Sequence, residues 1–256
     1  MEEIIYTYAV LENLTAIEQL LMECELPYQD VVNHLAHFVV AKKHENLIGV
    51  IGLEVMSTMG LVRSLAVSPS FRGKRIAKEL YSRILAYAHL KGINELHLLT
   101  LTAEGFFAKL GFEKIERDKT PTEIQATEEF QSFCPATAVC MVKNIENEPH
   151  YYPREILRLN PDVPGAAMWA VALKNTMFTY FEIAPNSRFE LHYHESEQIT
   201  MVLEGKLFFE SGNKVISVGK GEVIALPSNI SHAAYTTDEA VKAVDAWSPV
   251  REKYNR

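Results

Sequence analysis

Three histidines pose the first chemical question in this chain. One residue separates His192 from His194, and His232 follows within Gly221-x5-Pro227-x-Asn229-x2-His232. In a strand, positions i and i+2 share a face, so His192 and His194 are expected to point the same way, with Gln198 in phase if the strand continues. Imidazoles converging from one side suit a borderline divalent metal, and a carboxamide oxygen adds a neutral fourth donor. Such a set leaves the charge of the ion uncompensated, which favours Lewis-acid work on a carbonyl, a hydroxyl or a bound water. Zn, Ni, Fe and Mn all satisfy it. Glu190 and Tyr193 are the nearby candidates for fixing the imidazole tautomers.

A second constellation is built for anions. The stretch Val67-Ser68-Pro69-Ser70-Phe71-Arg72-Gly73-Lys74-Arg75-Ile76-Ala77 joins an apolar strand pattern to a helix pattern. Helix N-termini leave N–H groups without internal partners and carry partial positive charge. Arg72, Lys74, Arg75 and Lys78 gather at that end. Together they describe a pyrophosphate cradle; the alternative is a solvated basic helix start.

The elements that must position these groups use two grammars. In the first half, residues 13–24 and 28–35 read as helices and 36–42, 47–55 and 61–67 as strands. Ile76, Leu80, Ile84 and Ala88 recur every four residues in a helix over 73–90, closed by Lys91-Gly92. A strand over 95–101, a helix over 103–110 and Gly111 as its stop follow, giving an α/β domain over residues 1–146. Two prolines and no apolar period make 147–153 the expected linker. Residues 154–256 show no helix pattern. Strands are expected at 178–183, 198–203, 206–210, 214–218, 223–226 and 240–247, with turn residues between them, which implies a sandwich or barrel.

Composition sets outer bounds. Of 256 residues, 48% are hydrophobic and 23% charged, so the chain can bury one or two real cores. A net charge of −8 argues against a nucleic-acid binder and a polybasic membrane anchor. No apolar run approaches the ~20 residues of a membrane span. The start lacks a basic signal-peptide region. The three cysteines show no paired spacing, which points to a reducing cytoplasm. Small-molecule substrates are the expected partners.

The order strand, V-x-P-x-x-R-G-x-x-I-A, long helix, strand, F-F-x-K-L-G-F resembles the GNAT superfamily of acetyl-CoA-dependent N-acetyltransferases. Leu61-Val62-Arg63-Ser64-Leu65-Ala66-Val67, Thr102-Ala103-Glu104-Gly105-Phe106-Phe107 and Cys134-Pro135-Ala136 resemble its arsenic-resistance-associated subgroup. The resemblance implies a mixed central sheet flanked by helices. It also implies a coenzyme site formed by Leu65, Ala66, Val67, Arg72, Gly73, Lys74, Arg75, Ile76, Ala77 and Phe107. Arg72, Gly73 and Ala77 match the family's loop, whereas Arg75 stands where it has a second glycine. Its acetyl transfer to an amine needs a base, an oxyanion donor and an acid for the thiolate. The amide of Val67 or Leu65 would serve the oxyanion. Phe107 stands where the family places an acidic tyrosine, leaving Tyr81, Tyr87 or water as substitutes. Glu54 is a candidate base. Arg63 either holds an anionic acceptor or pairs with a carboxylate.

The histidine spacings resemble both cupin motifs, G-x5-H-x-H-x3-E-x6-G and G-x5-P-x-G-x2-H-x3-N. Asn186 and Asn229 replace glycines, Gln198 the glutamate and Thr236 the asparagine. The resemblance implies an all-β jelly-roll barrel with a divalent metal on His192, His194, Gln198 and His232, and a possible homodimer through this domain. The ending Asp245-Ala246-Trp247-Ser248-Pro249-Val250-Arg251-Glu252-Lys253-Tyr254 resembles that of cupins processing unsaturated uronate sugars. Asp245 would then be an acid/base group, Arg251 a carboxylate binder and Trp247 a sugar-stacking wall.

Three functions follow from these resemblances. The leading one is an N-acetyltransferase with a small-molecule amine acceptor, fused to a metal-binding cupin. The second makes the cupin a sensor that regulates the transferase. The third makes the transferase half degenerate and the cupin a metal-dependent sugar-acid isomerase or lyase.

Overall fold

A computed structural model describes residues 3–254. The chain divides into two units after Ile156. That division falls beyond the 147–153 stretch expected as the linker. Residues near it pack on the first unit: Tyr8 Oη donates to Ile156 O at 3.1 Å, and Arg83 pairs with Glu155 at 2.5 Å. Ile156 is 1% exposed, because an apolar side chain after the polar run still has a core within reach. Among the described residues no helix is long and apolar enough to cross a membrane.

The first unit runs β1 (Ile5–Tyr8), α1 (Leu14–Glu23), α2 (Val31–His34), β2 (Phe38–Lys43), β3 (Asn46–Met56) and β4 (Met59–Val67). It continues through α3 (Ile76–Leu90), β5 (Glu95–Thr100), α4 (Glu104–Ala108), β6 (Glu113–Ile115), α5 (Thr122–Gln125) and β7 (Val139–Asn144). Seven strands form one mixed sheet in the order β1-β2-β3-β4-β5-β7-β6. Its only parallel pair among the described residues is β4 with β5. The central strand β3 is buried from Ile48 to Glu54, on both faces. Ile51 and Leu53 join a core with Ile76, Leu80 and Ile84 of α3, whereas Val50 joins one with Ile17 and Leu21 of α1. The four-residue spacing in α3 thus does what periodicity predicts and aims one face at the sheet. That helix begins at Ile76 rather than at residue 73. Gly73 and Arg75 adopt φ of +76° and +65°, a backbone no right-handed helix can contain.

The second unit contains β8 (Asn160–Pro161), β9 (Ala166–Ala172), β10 (Met177–Ile183), β11 (Arg188–His192) and β12 (Glu197–Glu204). After them come β13 (Lys206–Ser211), β14 (Lys214–Gly219), β15 (Val223–Leu226), β16 (His232–Tyr235) and β17 (Val241–Ser248). All its pairings are antiparallel, in a six-stranded sheet β15-β12-β17-β10-β9-β8 and a four-stranded sheet β11-β16-β13-β14. Phe181 and Val202 from the first sheet share a core with Phe209 and Ala234 from the second. The unit is therefore two sheets packed face to face, and among the described residues no strand pairing joins them into the closed barrel that was expected. Strand β17 alternates buried and outward residues along its length. Strands β9 and β16 carry little pattern in sequence, since β9 is mostly half-buried and β16 almost wholly buried.

Candidate functional sites

In the first unit the sheet opens between β4 and β5. Their pairing runs from Met59 with Glu95 to Val62 with Leu98 and goes no further, although β4 continues to Val67. The next two residues explain the opening. Ser64 has φ of +55°, and the β3–β4 register shifts between Val50 and Gly52, so an extra residue kinks β4 away from its neighbour. Ser68 N donates to Ile48 O at 2.9 Å. Alternation along an antiparallel ladder then turns the N–H and C=O of Val67 to the other side, toward the gap. Val67 O accepts from Arg72 Nε at 3.2 Å, which anchors the basic loop beside the gap.

The loop itself has the conformation a cradle needs. Arg72, Gly73, Lys74 and Arg75 are exposed, and Ile76 anchors the first helical turn at 2% exposed. Gly73 and Arg75 are both left-handed, which turns successive amides toward one side at the start of α3. The position where glycine was expected thus keeps the conformation of glycine. Arg75 occupies it at a cost of about 1–2 kcal/mol.

Arg63 lies at the base of the opening and is not available to an anionic acceptor. Its side chain is wholly enclosed, with Asp30 Oδ1 and Oδ2 each 2.6 Å from its two terminal nitrogens. Glu54 Oε1 contacts Nη1, and Glu129 Oε2 lies 2.9 Å from Nη2. The carboxylate-pairing alternative is the one the structure adopts, threefold. Burial raises the pKa of Glu129, a rise that Arg63 only partly offsets. Burial and Glu129 together push the Cys134 thiol up to about 12, which makes it inert. His34 Nε2 lies 3.8 Å from both Asp30 and Glu54 and is the partly exposed edge of the cluster. Asp30, His34 and Glu54 have a metal-like grouping. The guanidinium filling the cluster makes it an ion-pair network instead. Sequence reading missed Asp30, His34 and Glu129; a buried arginine in an apolar strand was the available signal.

Phe107, which stands where the resemblance places an acidic tyrosine, packs into the main core. It is 6% exposed and makes edge contacts with Phe106 and Phe112 in the main core. Of the substitute acids, Tyr87 is tied to His37 Nδ1 at 2.6 Å, and burial raises the pKa of Tyr81.

In the second unit the histidines converge, by a route different from the one expected. Strand β11 ends at His192, and Gln198 lies on β12 in the other sheet. His194 sits on the crossing segment, so the three do not share one strand. His232 on β16 is the register partner of His192. The ligand atoms of His192, His194 and His232 lie within 4.8 Å of one another. Each Nδ1 faces a main-chain carbonyl: Glu190 O at 2.7 Å, Ser196 O at 2.6 Å and Ile230 O at 2.9 Å. The bonds leave the three Nε2 lone pairs turned inward. The tautomers are thus set by backbone, not by the Glu190 carboxylate or Tyr193, which is 71% exposed. Burial lowers the pKa of all three, with Arg251 adding to the effect.

Gln198 is aimed by its own support. Its Nε2 donates to Thr200 Oγ1 at 2.9 Å, and Thr200 Oγ1 donates to Asp245 Oδ1 at 2.5 Å. The carboxamide oxygen is left facing His194 Nε2 at 3.2 Å. Asp245 is buried, and desolvation pushes its pKa up to about 6 against the hydrogen bonds from Thr200 and Gln198. Trp247 donates to Thr179 Oγ1 at 2.9 Å and presents its ring to His194 at 5.2 Å. Arg251 lies over Trp247 at 5.1 Å. His192, His232, Gln198, Asp245, Trp247 and Arg251 line one pocket whose depth is apolar, through Phe181 and Phe209. Three neutral imidazole nitrogens and an oriented amide oxygen fit a divalent metal. Asn186 and Asn229, standing for motif glycines, have φ of 55° and 61°, so each keeps the glycine-like turn.

Residues 34–114 match the acetyltransferase (GNAT) domain and residues 179–247 the cupin domain. A different family model thus matches in each of the two units. An uncharacterized N-acetyltransferase of Chlorobaculum tepidum is 32% identical over 97 residues, covering 38% of this chain and 62% of that protein. Acireductone dioxygenase of Rattus norvegicus is 40% identical over 77 residues, covering 27% of this chain and 42% of that one. N-acetylglutamate synthase of Neisseria gonorrhoeae, solved with coenzyme A and L-arginine, is similar at TM-score 0.49 and 21% identity, over 57% of this chain and 34% of that one. The chain thus spans less than two thirds of the curated relatives it matches.

Proposed function

We propose that the first unit transfers an acetyl group from acetyl-CoA to a small-molecule amine. One observation carries this reading: the amide of Val67 faces the gap between β4 and β5, next to a loop whose left-handed Gly73 and Arg75 open the N-terminus of α3. The loop supplies amides and cations for a pyrophosphate, and the Val67 N–H supplies a donor for the carbonyl oxygen as negative charge develops on it. Glu54 is committed to Arg63, so a base for the amine must come from the exposed edge of that cluster, where His34 sits, or from water. The thiolate leaves to water, since Phe107 has no proton to give and the Tyr87 hydroxyl is engaged by His37. The names of two relatives, an N-acetyltransferase and an amino-acid acetyltransferase of Edwardsiella ictaluri, agree with an amine acceptor. The test is calorimetric titration of the full chain with acetyl-CoA, followed by thiol release against a panel of amines and amino acids. Absence of coenzyme binding sinks the proposal.

A second reading gives the cupin its own chemistry, and the buried Asp245 favours it. His192, His194, Gln198 and His232 would hold one divalent ion, and that ion would supply Lewis-acid polarisation of a bound oxygen. Asp245 keeps or yields a proton near neutral pH behind the carboxamide, and Arg251 offers a cation at the pocket for an acidic ligand such as an unsaturated uronate. Turnover of such sugars by the metal-loaded full chain tests it. Binding without turnover would leave the cupin a sensor of the same ligands.

A further inference from the structure

The chain leaves the last ladder of the second unit at Ser248, and no described residue after Trp247 is buried. A single carboxylate holds this closing segment down. Tyr254 Oη donates to Asp162 Oδ2 at 3.3 Å, and Lys253 Nζ lies 2.8 Å from Asp162 Oδ1. Asp162 stands 92 positions before Tyr254, in the turn between β8 and β9, where its N–H donates to Ala166 O at 3.0 Å. Its side chain is 6% exposed. A carboxylate enclosed to that degree depends on its donors, and they in turn are fixed by it. The bonds reach the pocket through the short turn Glu252–Tyr254. Tyr254 N–H donates to Arg251 O at 3.0 Å, which couples the two residues. The Tyr254 ring packs on Phe181 at 5.9 Å and on Trp247 at 5.8 Å. The Arg251 guanidinium lies 5.1 Å from the Trp247 ring centre and 5.2 Å from that of Tyr254, so aromatic rings, not an acid, hold the cation. Among the described residues no carboxylate lies within ion-pair distance of Arg251, although it lines the pocket with His192 and His232.

We propose that Asp162 is a positioning residue for ligand binding in the second unit. By holding Tyr254 and Lys253 it fixes the Arg251 guanidinium against Trp247, set to meet the carboxylate of an acidic ligand. This role rests on the second reading above, in which the pocket takes such a ligand. Charge and order both favour it. Arg251 is the one lysine or arginine among the described residues that line the pocket, and Lys253 is already engaged by Asp162. An arginine without fixed neighbours surrenders its side-chain freedom when it grips a ligand, and that loss is subtracted from affinity. Here the Trp247 and Tyr254 rings and the anchored turn restrict the side chain before any ligand arrives. Without Asp162 the segment would keep only the packing of Tyr254, and the guanidinium would be free to swing into solvent.

The experiment uses the full chain carrying Trp169→Phe, which leaves Trp247 as its single indole. Emission and near-ultraviolet dichroism of Trp247 then report the guanidinium with no ligand present. Asp162→Ala is expected to shift both signals in the same direction as Arg251→Met. In zinc-loaded protein it should weaken binding of D-galacturonate roughly tenfold, while zinc affinity against a chelator stays at the parent value. The neutral D-galactose serves as control and should bind no differently in the variants. Should Asp162→Ala fail to fold, Tyr254→Phe combined with Lys253→Met cuts both bonds, keeps the ring and is expected to give the same shift. A Trp247 signal that responds to Arg251→Met but to neither of these changes overturns the proposal. A signal that ignores Arg251→Met overturns it too, because the cation is then not held on the ring. So does D-galacturonate affinity that falls in Arg251→Met and is unaltered in Asp162→Ala. If the parent protein binds no D-galacturonate while the signals move as expected, the anchoring by Asp162 stands and the acidic-sugar reading falls.

Discussion

His194 Nε2 and Gln198 Oε1 face each other at 3.2 Å as two acceptors. The imidazole proton is engaged on Nδ1 by Ser196 O, and the amide hydrogens are turned toward Thr200. Facing lone pairs at that distance repel until a cation lies against both, so the pair is organised for an ion in advance of its arrival. Thr200→Val should then lower divalent-metal affinity by about 10–100-fold although no ligand is changed, because the carboxamide loses the partner that aims it. Competition with a chelator of known affinity measures this. An affinity equal to wild type would show that Thr200 does not orient Gln198.

Arg75 makes the opposite kind of prediction. Its φ of +65° suits glycine, so Arg75→Gly trades relief of ~1–2 kcal/mol of backbone strain for ~0.4–1 kcal/mol of unfolded-chain entropy. Thermal unfolding should show the first unit unchanged or slightly more stable. If the guanidinium contributes to holding a pyrophosphate, acetyl-CoA affinity falls in the same variant; if it only obstructs the backbone, affinity rises. A clear loss of stability would contradict the strain argument.

Arg63 is the residue whose removal should cost most. Arg63→Met leaves Asp30 and Glu54 buried beside Glu129 without their cation, a situation that typically costs about 3–5 kcal/mol. Urea unfolding of wild type and variant at neutral and mildly acidic pH separates charge from packing. The deficit should shrink in acid, as protonation removes the repulsion; a deficit independent of pH would mean lost packing alone.

A pH effect with a definite sign comes from His89, stacked on His150 at 3.6 Å. Burial, then His150 and Lys143, push its pKa down to about 4 from an unfolded value near 6.5. The native state binds fewer protons than the unfolded one, so stability is fully present above pH 6.5 and is lost as the pH falls toward 4. His89→Phe keeps a ring in the stack and removes the titration. Its advantage over wild type should be constant above pH 6.5 and grow by roughly 1–2 kcal/mol by pH 4, after allowance for partial solvent screening. Parallel profiles for the two proteins would refute the assignment.

What the sequence determines by itself here is local. The alternation in β17 settles which residues turn inward, the four-residue spacing in α3 settles its buried face, and the motif positions held by Asn186, Asn229 and Arg75 foretell left-handed backbone whatever side chain stands there. These depend on geometry within a few residues, which a pattern records directly. Tertiary structure decided what each inward residue meets. Asp30 reaches Arg63 across 33 positions and Thr200 reaches Asp245 across 45, and the histidines meet because the chain changes sheets after His192 rather than continuing one strand. A buried charge or amide settles its partner by desolvation and hydrogen-bond geometry among elements distant in the chain, and no local period encodes that choice.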